Sequence, residues 1–315
     1  MPPIVFFGTS EFAIPAFETL VKAGYKISSV ITQPDKPAER GLALRSSPVK
    51  VKALELGLRV FEPPTLKQLE AESLLRECGA EVAIVAAYGK IIPQNILDIF
   101  PRGVLNIHPS LLPKYRGPSP IQSAILNGDE ETGITIMLLD AEMDHGSILM
   151  QKGLRIKDYE LRSGLEERLS ELGANLLIEV LPQWMEGKIK PREQDHAAAT
   201  VCKMVEKEDG KIDWNKSAVA IERMVRAYEG WPGTWALWDG KRLKILKALV
   251  LHESIGCANN STPGFVWKTE QGELAVNCLP GSLVLEQVQM EGKKPATGEE
   301  FLRGHLRILG VVLGQ

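Results

Sequence analysis

Long apolar runs are missing from this 315-residue sequence, which is 44% hydrophobic and 24% charged. A membrane-spanning helix needs about 20 consecutive apolar residues, and no stretch reaches that length. The first ten residues, MPPIVFFGTS, also lack the charged start and apolar centre of a signal peptide. We therefore expect a cytoplasmic protein with no membrane partner.

Cysteine is scarce, and the four cysteines form neither a CxxC pair nor a cluster with metal-ligand spacing. They are Cys78, Cys202, Cys257 and Cys278. Small disulfide-built domains and zinc sites both need more closely patterned cysteines than these. The sequence therefore predicts reduced thiols and no metal.

A glycine-rich dinucleotide fingerprint is also absent. The turn after the first predicted strand reads FFGTSEFA, without GxGxxG, so a nicotinamide cofactor is poorly supported. The net charge of −3 does not favour a polyanionic partner for the molecule as a whole. Any such binding must come from local basic patches.

Two segments could supply such patches. Residues 32–50 form a long, proline-rich stretch, TQPDKPAERGLALRSSPVK, and residues 241–247 read KRLKILK. The cationic candidates in them are Lys36, Arg40, Arg45, Arg242 and Lys244. Long loops in compact domains are often functional, but a plain surface loop and an ordinary β-strand remain the alternatives.

What the first half contains is an alternation of short apolar runs and helical patterns. The strand candidates are residues 4–7, 27–32, 82–86, 104–107, 133–139 and 148–156. The helix candidates are residues 12–23, 47–57, 66–79, 118–127 and 161–187. Strands alternating with helices indicate βαβ units, so we expect an α/β domain with a mainly parallel sheet covered on both faces.

The second half changes character after residue 189. Residues 190–208 have no clear period and are interpreted as a linker. Residues 209–315 contain one helical pattern, at 217–227, and then short strands separated by turn signals. That spacing is typical of a small β-barrel, so we expect domains at 1–189 and 209–315.

The most informative stretch is residues 106–120, NIHPSLLPKYRGPSP. Asn106 and His108 are two residues apart, the spacing at which a strand points side chains to one side. Asp144 follows in LLDAEMDHGSIL. Ligands of open α/β sheets bind at the carboxyl ends of strands. These three groups are therefore candidates for an acyl transfer that uses general acid–base catalysis and oxyanion stabilisation.

Less specific interpretations exist for His108 and Asp144. His108 could merely satisfy loop carbonyls, and Asp144 could be a turn residue, since Asp-His-Gly is good turn chemistry. A metal site of His108, Asp144 and His145 is disfavoured because the histidines lack the usual paired spacing.

The motif NIHPSLLPKYRGPSP, with a downstream D-x-x-x-D-x-G, resembles the folate-dependent formyltransferases. Their shared signature is an Asn, a His two residues on and an Asp after a later strand. The segments IVFFGTSEFAIPAF, TQPDKPAERG, EVAIVAAYGKIIP, KIDWNKSA and IERMVRAYEGWPGTWA are similar to the family members that act on tRNA.

The resemblance implies a Rossmann-like formyltransferase domain followed by an OB-like, tRNA-binding barrel. It implies 10-formyltetrahydrofolate as donor and initiator methionyl-tRNA as acceptor. We also expect a monomer. Asn106, His108 and Asp144 would be catalytic, and Arg40 matches the family's tRNA-contacting arginine. The residues implied to line the folate pocket are Ala86, Tyr88, Gly89, Ile91, Ser110, Leu111, Leu112, Pro113, Leu139 and Asp140. Two alternatives share the chemistry: a formyltransferase for a small amine, and a formyltetrahydrofolate hydrolase in which water replaces the amine.

Overall fold

The structure is a computed structural model that describes residues 2–37, 44–251 and 262–314. The chain divides into two compact units. The first comprises Met1–Pro120, Glu130–Ile156 and Gly164–Lys203, and the second comprises Ile121–Asp129, Lys157–Ser163 and Met204–Gln315. In the described part of the chain, no helix combines the length and apolar character needed to cross a bilayer.

The first unit is built on a seven-stranded sheet in the order β5-β2-β1-β6-β7-β8-β9, with a separate two-stranded β3–β4 pair. The strands are β1 (Ile4–Gly8), β2 (Ile27–Ile31), β3 (Lys36–Pro37), β4 (Leu44–Arg45), β5 (Val60–Phe61), β6 (Val82–Ala86), β7 (Val104–His108), β8 (Glu131–Leu138) and β9 (Ile148–Arg155). The first five strands in this order, from β5 through β2, β1 and β6 to β7, pair in parallel. β8 and β9 are antiparallel to their neighbours. The predicted mainly parallel sheet is confirmed.

Among the described residues between 14 and 185, the structure has six α-helices. They are α1 (Ile14–Lys22), α2 (Pro48–Glu55), α3 (Leu69–Glu77), α4 (Gln94–Leu97), α5 (Pro120–Asn127) and α6 (Arg162–Met185). The start of α2 follows directly from its sequence, because the Ser47 side chain accepts a hydrogen bond from the Lys50 amide and Pro48 occupies the first turn. The sequence missed α4 and the two-residue strand β5, which are too short to show a period.

The sheet of the first unit is covered on both faces. On one face, Phe6 of β1 packs against Phe17 of α1, with ring centroids 5.0 Å apart. On the same face, a Cβ placed on Gly173 of α6 would lie 2.7 Å from Ile107. The opposite face carries a cluster in which Val5 and other residues of β1 and β6 join the apolar residues of α3 and α4. Period-two alternation places residues 104, 106 and 108 of β7 on this second face.

The segment 190–208, interpreted as a linker, is mostly exposed but is attached to the first unit at several points. Residues up to Lys203 belong to the first unit, where Gln194 and Cys202 are buried. Arg116 pairs with Val201 in an isolated parallel bridge. Its backbone bonds at separate points, to the first residue of β9 through Arg192 and to the loop after β7 through Thr200, so it forms no regular element that would show a period.

The second unit is an antiparallel sheet in the order β10-β11-β14-β13-β12, with β15 beside β14. Its elements are α7 (Ala218–Ala227), β10 (Thr234–Trp238), β11 (Lys241–Leu251), β12 (Val266–Lys268), β13 (Leu274–Asn277), β14 (Ser282–Met290), β15 (Ala296–Thr297) and α8 (Gly298–Gly304). Asp239 and Gly240 connect β10 to β11 with positive φ angles of 53° and 71°, the geometry that tight hairpin turns require. This sheet is consistent with the predicted small barrel.

Candidate active site

Strand β7 positions Asn106 and His108 on one face, as the alternation predicted. Asn106 lies inside the sheet between Val85 of β6 and Met137 of β8. His108 is the last residue of the strand and is 4% exposed. The two side chains therefore stand on rigid backbone at the end of a central strand.

The hairpin loop between β8 and β9 supplies Asp144. The Leu138 amide donates to the Ser147 carbonyl at 2.9 Å, which closes the loop, and the Leu139 amide donates to Val104 at 2.8 Å. The loop starts beside the first residue of β7 and brings Asp144 back along that strand. Asp144 has φ +50°, a left-handed conformation that Asp adopts more readily than most residues.

The three predicted groups converge. Asp144 Oδ1 lies 3.5 Å from Asn106 Nδ2 and 3.6 Å from His108 Nδ1. Both separations exceed the 2.7–3.2 Å typical of a good N–H···O bond. The amide and imidazole therefore keep the capacity to bind a better-placed oxygen.

The motif loop after β7 fixes the orientation of both partners. The Gly117 amide donates to Asp144 Oδ2 at 2.8 Å. His108 Nε2 lies 2.9 Å from the Tyr115 carbonyl. Because a carbonyl oxygen only accepts, Nε2 carries a proton in this contact. Nδ1 is then the ring nitrogen that faces Asp144.

Such an arrangement has a definite chemical capacity. An amide N–H and an imidazole N–H can both donate to an oxygen that becomes negative, and a carboxylate beside the imidazole stabilises its protonated form. The same carboxylate can accept or relay a proton over a hydrogen-bond distance.

Residues 110–113, implied to line a folate pocket, are held by buried polar contacts. Thr135 Oγ1 donates to the Ser110 carbonyl at 2.7 Å and accepts from the Leu112 amide at 3.1 Å. The Gln151 side chain donates to the Leu112 carbonyl at 2.8 Å. Ser110 and Leu112 are buried, whereas Leu111 and Pro113 are partly exposed.

Residues 86–91, the other segment implied for the folate pocket, are held by hydrogen bonds to the Tyr88 carbonyl. The Tyr88 carbonyl accepts from Thr9 Oγ1 at 2.9 Å and from Gln33 Nε2 at 2.7 Å. Ala86 is buried, Ile91 is 80% exposed, and Gly89 adopts φ +76°. The second segment implied for the folate pocket is thus anchored through its backbone.

Tyr88 has an unusual hydroxyl. Its side chain is 1% exposed, and its oxygen has no hydrogen-bond partner among the described residues. Burial raises the pKa of this hydroxyl to about 12.

Leu139 joins the two candidate pocket segments, because it packs both against the cluster that contains Tyr88 and against the cluster of Leu112, Met137 and Ile148. Asp140, next to it, accepts from His145 Nδ1 at 2.7 Å. The metal alternative named His145 with His108, but His145 pairs with Asp140 instead. In the part of the chain that the structure describes, no group of three or more His, Cys, Asp or Glu could hold a metal ion.

An ion pair joins the two ends of the long basic segment, residues 32–50. Lys50 Nζ lies 2.8 Å from Asp35 and 2.7 Å from Glu62. The hydrogen bonds that Lys50 donates to Asp35 and then to Glu62 raise the pKa of Lys50, and the bond from Lys50 lowers the pKa of Asp35. Farther into the segment, Lys36 of β3 lies opposite Arg45 of β4 in an antiparallel strand pair. Arg45 is exposed, and Arg40 lies outside the described residues.

The other two cationic candidates lie on β11 of the second unit. The Arg242 guanidinium stands 4.2 Å from the Trp235 ring centroid and 3.5 Å from Glu208. Lys244 is partly exposed. Leu243 and Ile245, which alternate with these cations along the strand, are buried, so Arg242 and Lys244 lie on its outer side.

Several neighbours of the site were missed from the sequence. Tyr115, Arg116 and Gly117 are part of the motif but carry no side-chain pattern that reveals their backbone contacts. Gln194 donates to the carbonyls of Asp144 and Gly146, at 2.9 and 2.8 Å. It lies in the aperiodic segment 190–208, where no sequence signal marks it.

Comparison with known proteins defines the class. Residues 3–181 match the model of the formyl transferase family, and residues 204–306 match that of the formyl transferase C-terminal domain. The chain belongs to the formyl transferase family.

Within the family, the chain is similar to methionyl-tRNA formyltransferase of Chloroflexus aggregans, with 45% identity over 302 residues and 96% of each protein covered. Two solved structures share the fold at low identity. An N-formyltransferase of Helicobacter canadensis, in complex with folinic acid and dTDP-3-aminofucose, gives a TM-score of 0.69 at 18% identity, covering 92% of this chain and 100% of that one. HypX of Aquifex aeolicus gives 0.66 at 16% identity over 98% of this chain, which spans 50% of HypX.

Proposed function

We propose that this chain transfers the formyl group of 10-formyltetrahydrofolate to the α-amine of methionyl initiator tRNA. The observation that carries the proposal is the match to a methionyl-tRNA formyltransferase over 96% of the chain. The convergence of Asn106, His108 and Asp144 supports the chemistry. Residues 1–189 would hold the catalytic centre, and residues 209–315 would bind tRNA.

The first chemical step is attack of the neutral amine on the formyl carbon. A nitrogen–carbon bond forms, and the carbonyl electron pair moves to oxygen. Asn106 Nδ2 and protonated His108 Nδ1 donate to that oxyanion. One such donor is typically worth about 3 kcal/mol, or on the order of a hundredfold in turnover.

The second step is loss of the folate leaving group. The carbonyl re-forms as the bond from carbon to N10 of the folate breaks, and the proton lost by the amine reaches N10. Asp144 accepts and returns that proton, directly or through one water. No covalent enzyme intermediate is required, since amine attack by itself gives the tetrahedral intermediate.

The donor pocket is assigned to the two segments around Leu139. Ala86, Tyr88, Gly89 and Ile91 form one side, residues 110–113 form the other, and Leu139 and Asp140 lie between them. Backbone groups at a strand end suit a planar, hydrogen-bonding pteridine.

The acceptor is a polyanion, and the net charge of −3 gives it no general attraction. The proposal therefore assigns tRNA contacts to Lys36, Arg40, Arg45, Arg242 and Lys244. Affinity for tRNA then falls as the salt concentration rises, because bound counterions are released on binding.

One assay tests the function. Purified protein is incubated with 10-formyltetrahydrofolate and initiator methionyl-tRNA, and formylmethionine esterified to the tRNA is measured. Uncharged tRNA serves as the control without an amine. Formate release without formylation of the tRNA would indicate a hydrolase, and transfer only to free small amines would indicate a small-molecule enzyme; either result contradicts the proposal.

The proposal also includes a monomeric, cytoplasmic enzyme. Sedimentation equilibrium at the concentration used for the assay tests the first part. A mass near 34.7 kDa is expected, and a value twice as large would contradict it.

A further inference from the structure

Gln194 uses its whole hydrogen-bonding capacity beside the candidate active site. It is 5% exposed. Nε2 donates to the carbonyls of Asp144, at 2.9 Å, and Gly146, at 2.8 Å. Oε1 accepts from Nε and Nη2 of Arg116, at 3.1 and 2.8 Å. A primary amide has two donor hydrogens and two acceptor positions, so every one of them is engaged.

The partner of Gln194 leads to the other side of Asp144. Arg116 directly precedes Gly117, whose amide holds Asp144 Oδ2. The Arg116 backbone is itself fixed, because its amide donates to Thr200 at 2.9 Å and its carbonyl accepts from Cys202 at 2.8 Å. Residues 194–202 thus hold both the backbone of Asp144 and the loop that binds its carboxylate.

A second contact ties the same segment to the same hairpin loop. The ring of His196 stacks on that of His145, with centroids 4.1 Å apart and planes 4° apart. His196 Nδ1 lies 2.8 Å from Arg116 Nη2, and His145 Nδ1 lies 2.7 Å from Asp140. The loop is therefore held at the Asp144 carbonyl, at the Gly146 carbonyl and through the His145 ring.

We propose that Gln194 is a positioning residue, which acts through Asp144 to set the angle of the carboxylate toward His108. This inference rests on the proposed function. Asp144 needs such support because its φ of +50° is uncommon for a residue other than glycine. Reactive groups displaced by about 1 Å can lose on the order of a hundredfold in rate, and surrounding hydrogen bonds supply that precision.

Two substitutions test the hydrogen bonds of the Gln194 amide, one by removing all of them and one by removing only the two that it donates. Gln194→Met keeps the length of the side chain and removes all four hydrogen bonds. Gln194→Glu keeps an acceptor for Arg116, so the buried guanidinium stays paired and the fold is retained, but it removes both donors to the loop. We expect both to lower kcat for formyl transfer about tenfold to a hundredfold, with KM for tRNA within about twofold of the parent.

A double-mutant cycle distinguishes positioning from general destabilisation. Combined with Asp144→Ala, Gln194→Glu should change the single-turnover rate by less than about twofold, because the group it positions is gone. Gln183→Ala, which removes a local contact to Glu179 on α6, is the matched control with unchanged kcat. Equal slowing by Gln194→Glu in both backgrounds, or a parental kcat, overturns the inference.

Amide hydrogen exchange of Gly117 gives a readout independent of activity. In Gln194→Glu, the Gly117 amide should exchange at least about tenfold faster, because Asp144 Oδ2 no longer holds it in place. Unchanged protection overturns the positioning role. Absence of formyl transfer by the parent protein would instead remove the proposed function, and the exchange measurement would still decide the role of Gln194.

Discussion

His108 directs Nδ1, and not Nε2, toward Asp144, at 3.6 Å from Oδ1. Tyr115 causes this orientation, since its carbonyl engages Nε2 at 2.9 Å. In the proposed mechanism a protonated Nδ1 faces a carboxylate, and a charged donor of this kind is about twice as strong as a neutral one. Loss of the Asp144 charge should therefore weaken His108 as an oxyanion donor, even when the shape of the site is kept.

The substitution Asp144→Asn tests that coupling. The amide oxygen can still accept from the Gly117 amide, but the negative charge is lost. We expect the single-turnover rate to fall at least about a hundredfold, with little change in donor binding. Asp98→Asn is the control, because Asp98 is exposed and accepts a hydrogen bond from the Gln94 side chain. A variant at position 144 that keeps half of the parental rate would remove the charge from the mechanism.

Gly146→Ala tests whether the hairpin loop must keep its path. A Cβ at Gly146 would lie 2.0 Å from the Leu138 carbonyl oxygen, so the backbone must shift. We expect a loss of about 1–3 kcal/mol in the free energy of unfolding and a lower kcat. Both are measured on one preparation, by urea titration and by the formylation assay.

Gly304→Ala is the matched control for that substitution. Gly304 has no positive φ, and apart from its chain neighbours and its own helix backbone, no atom of the described residues lies within 4 Å of an added Cβ. Its kcat should equal that of the parent. If Gly146→Ala also behaved as the parent, the path of the loop would not matter for the reaction.

How far the sequence predicts this site depends on the distance over which each signal acts. The shared face of Asn106 and His108 follows from the two-residue period of a strand, which is visible in the local sequence. Asp144 could be named from the family resemblance, but its return along β7 depends on the hairpin closed between Leu138 and Ser147. Gln194 reaches Asp144 from 50 residues away, and no local pattern encodes that contact.

The fold shows the same division. Long periodic elements such as α6 were predicted close to their observed bounds, because an amphipathic stripe of many residues is hard to mistake. The helix α8 was missed, although its start has a readable signature. Thr297 accepts from the Glu300 amide while the Glu300 carboxylate accepts from the Thr297 amide, and this capping box lowers the pKa of Glu300.

Tyr88→Phe should make stability less sensitive to alkaline pH. Burial raises the pKa of Tyr88 to about 12 from an ordinary value of 10.0. Between these values the native state retains a proton that the unfolded chain has lost, so the contribution of Tyr88 to stability falls as pH rises. Below the unfolded-state pKa both states are protonated, and this contribution does not vary.

Urea midpoints of the parent and of Tyr88→Phe, measured at pH 9 and at pH 11, give the comparison. The parent should lose more stability between the two values than the variant does. At pH 9 the variant should be as stable as the parent or up to about 1 kcal/mol more stable, because it removes an unpaired buried hydroxyl. Parallel losses in the two proteins would show that burial does not raise the pKa of Tyr88.

Arg45→Ala should weaken use of tRNA without affecting the folate donor. Arg45 is exposed on β4, opposite Lys36, and the proposed contact is with a phosphate. KM for tRNA should rise several-fold, and the slope of log affinity against log salt should become shallower by about 1. Arg40→Ala, from the same basic segment, carries the same expectation.

Arg76→Ala is the control for Arg45→Ala, since Arg76 is an exposed arginine that pairs with Glu72 of its own helix at 2.8 Å. Its KM for tRNA should not change. An equal effect of the two substitutions would show that Arg45 acts through overall charge and not through a local contact.

A crystal structure of the protein with a non-reactive formyl-folate analogue would test the central claim most directly. The account predicts the formyl oxygen within about 3 Å of both Asn106 Nδ2 and His108 Nδ1, with the folate between the segment that contains Tyr88 and the one that contains Leu112. A donor bound elsewhere, or a formyl group turned away from Asn106, His108 and Asp144, would contradict it.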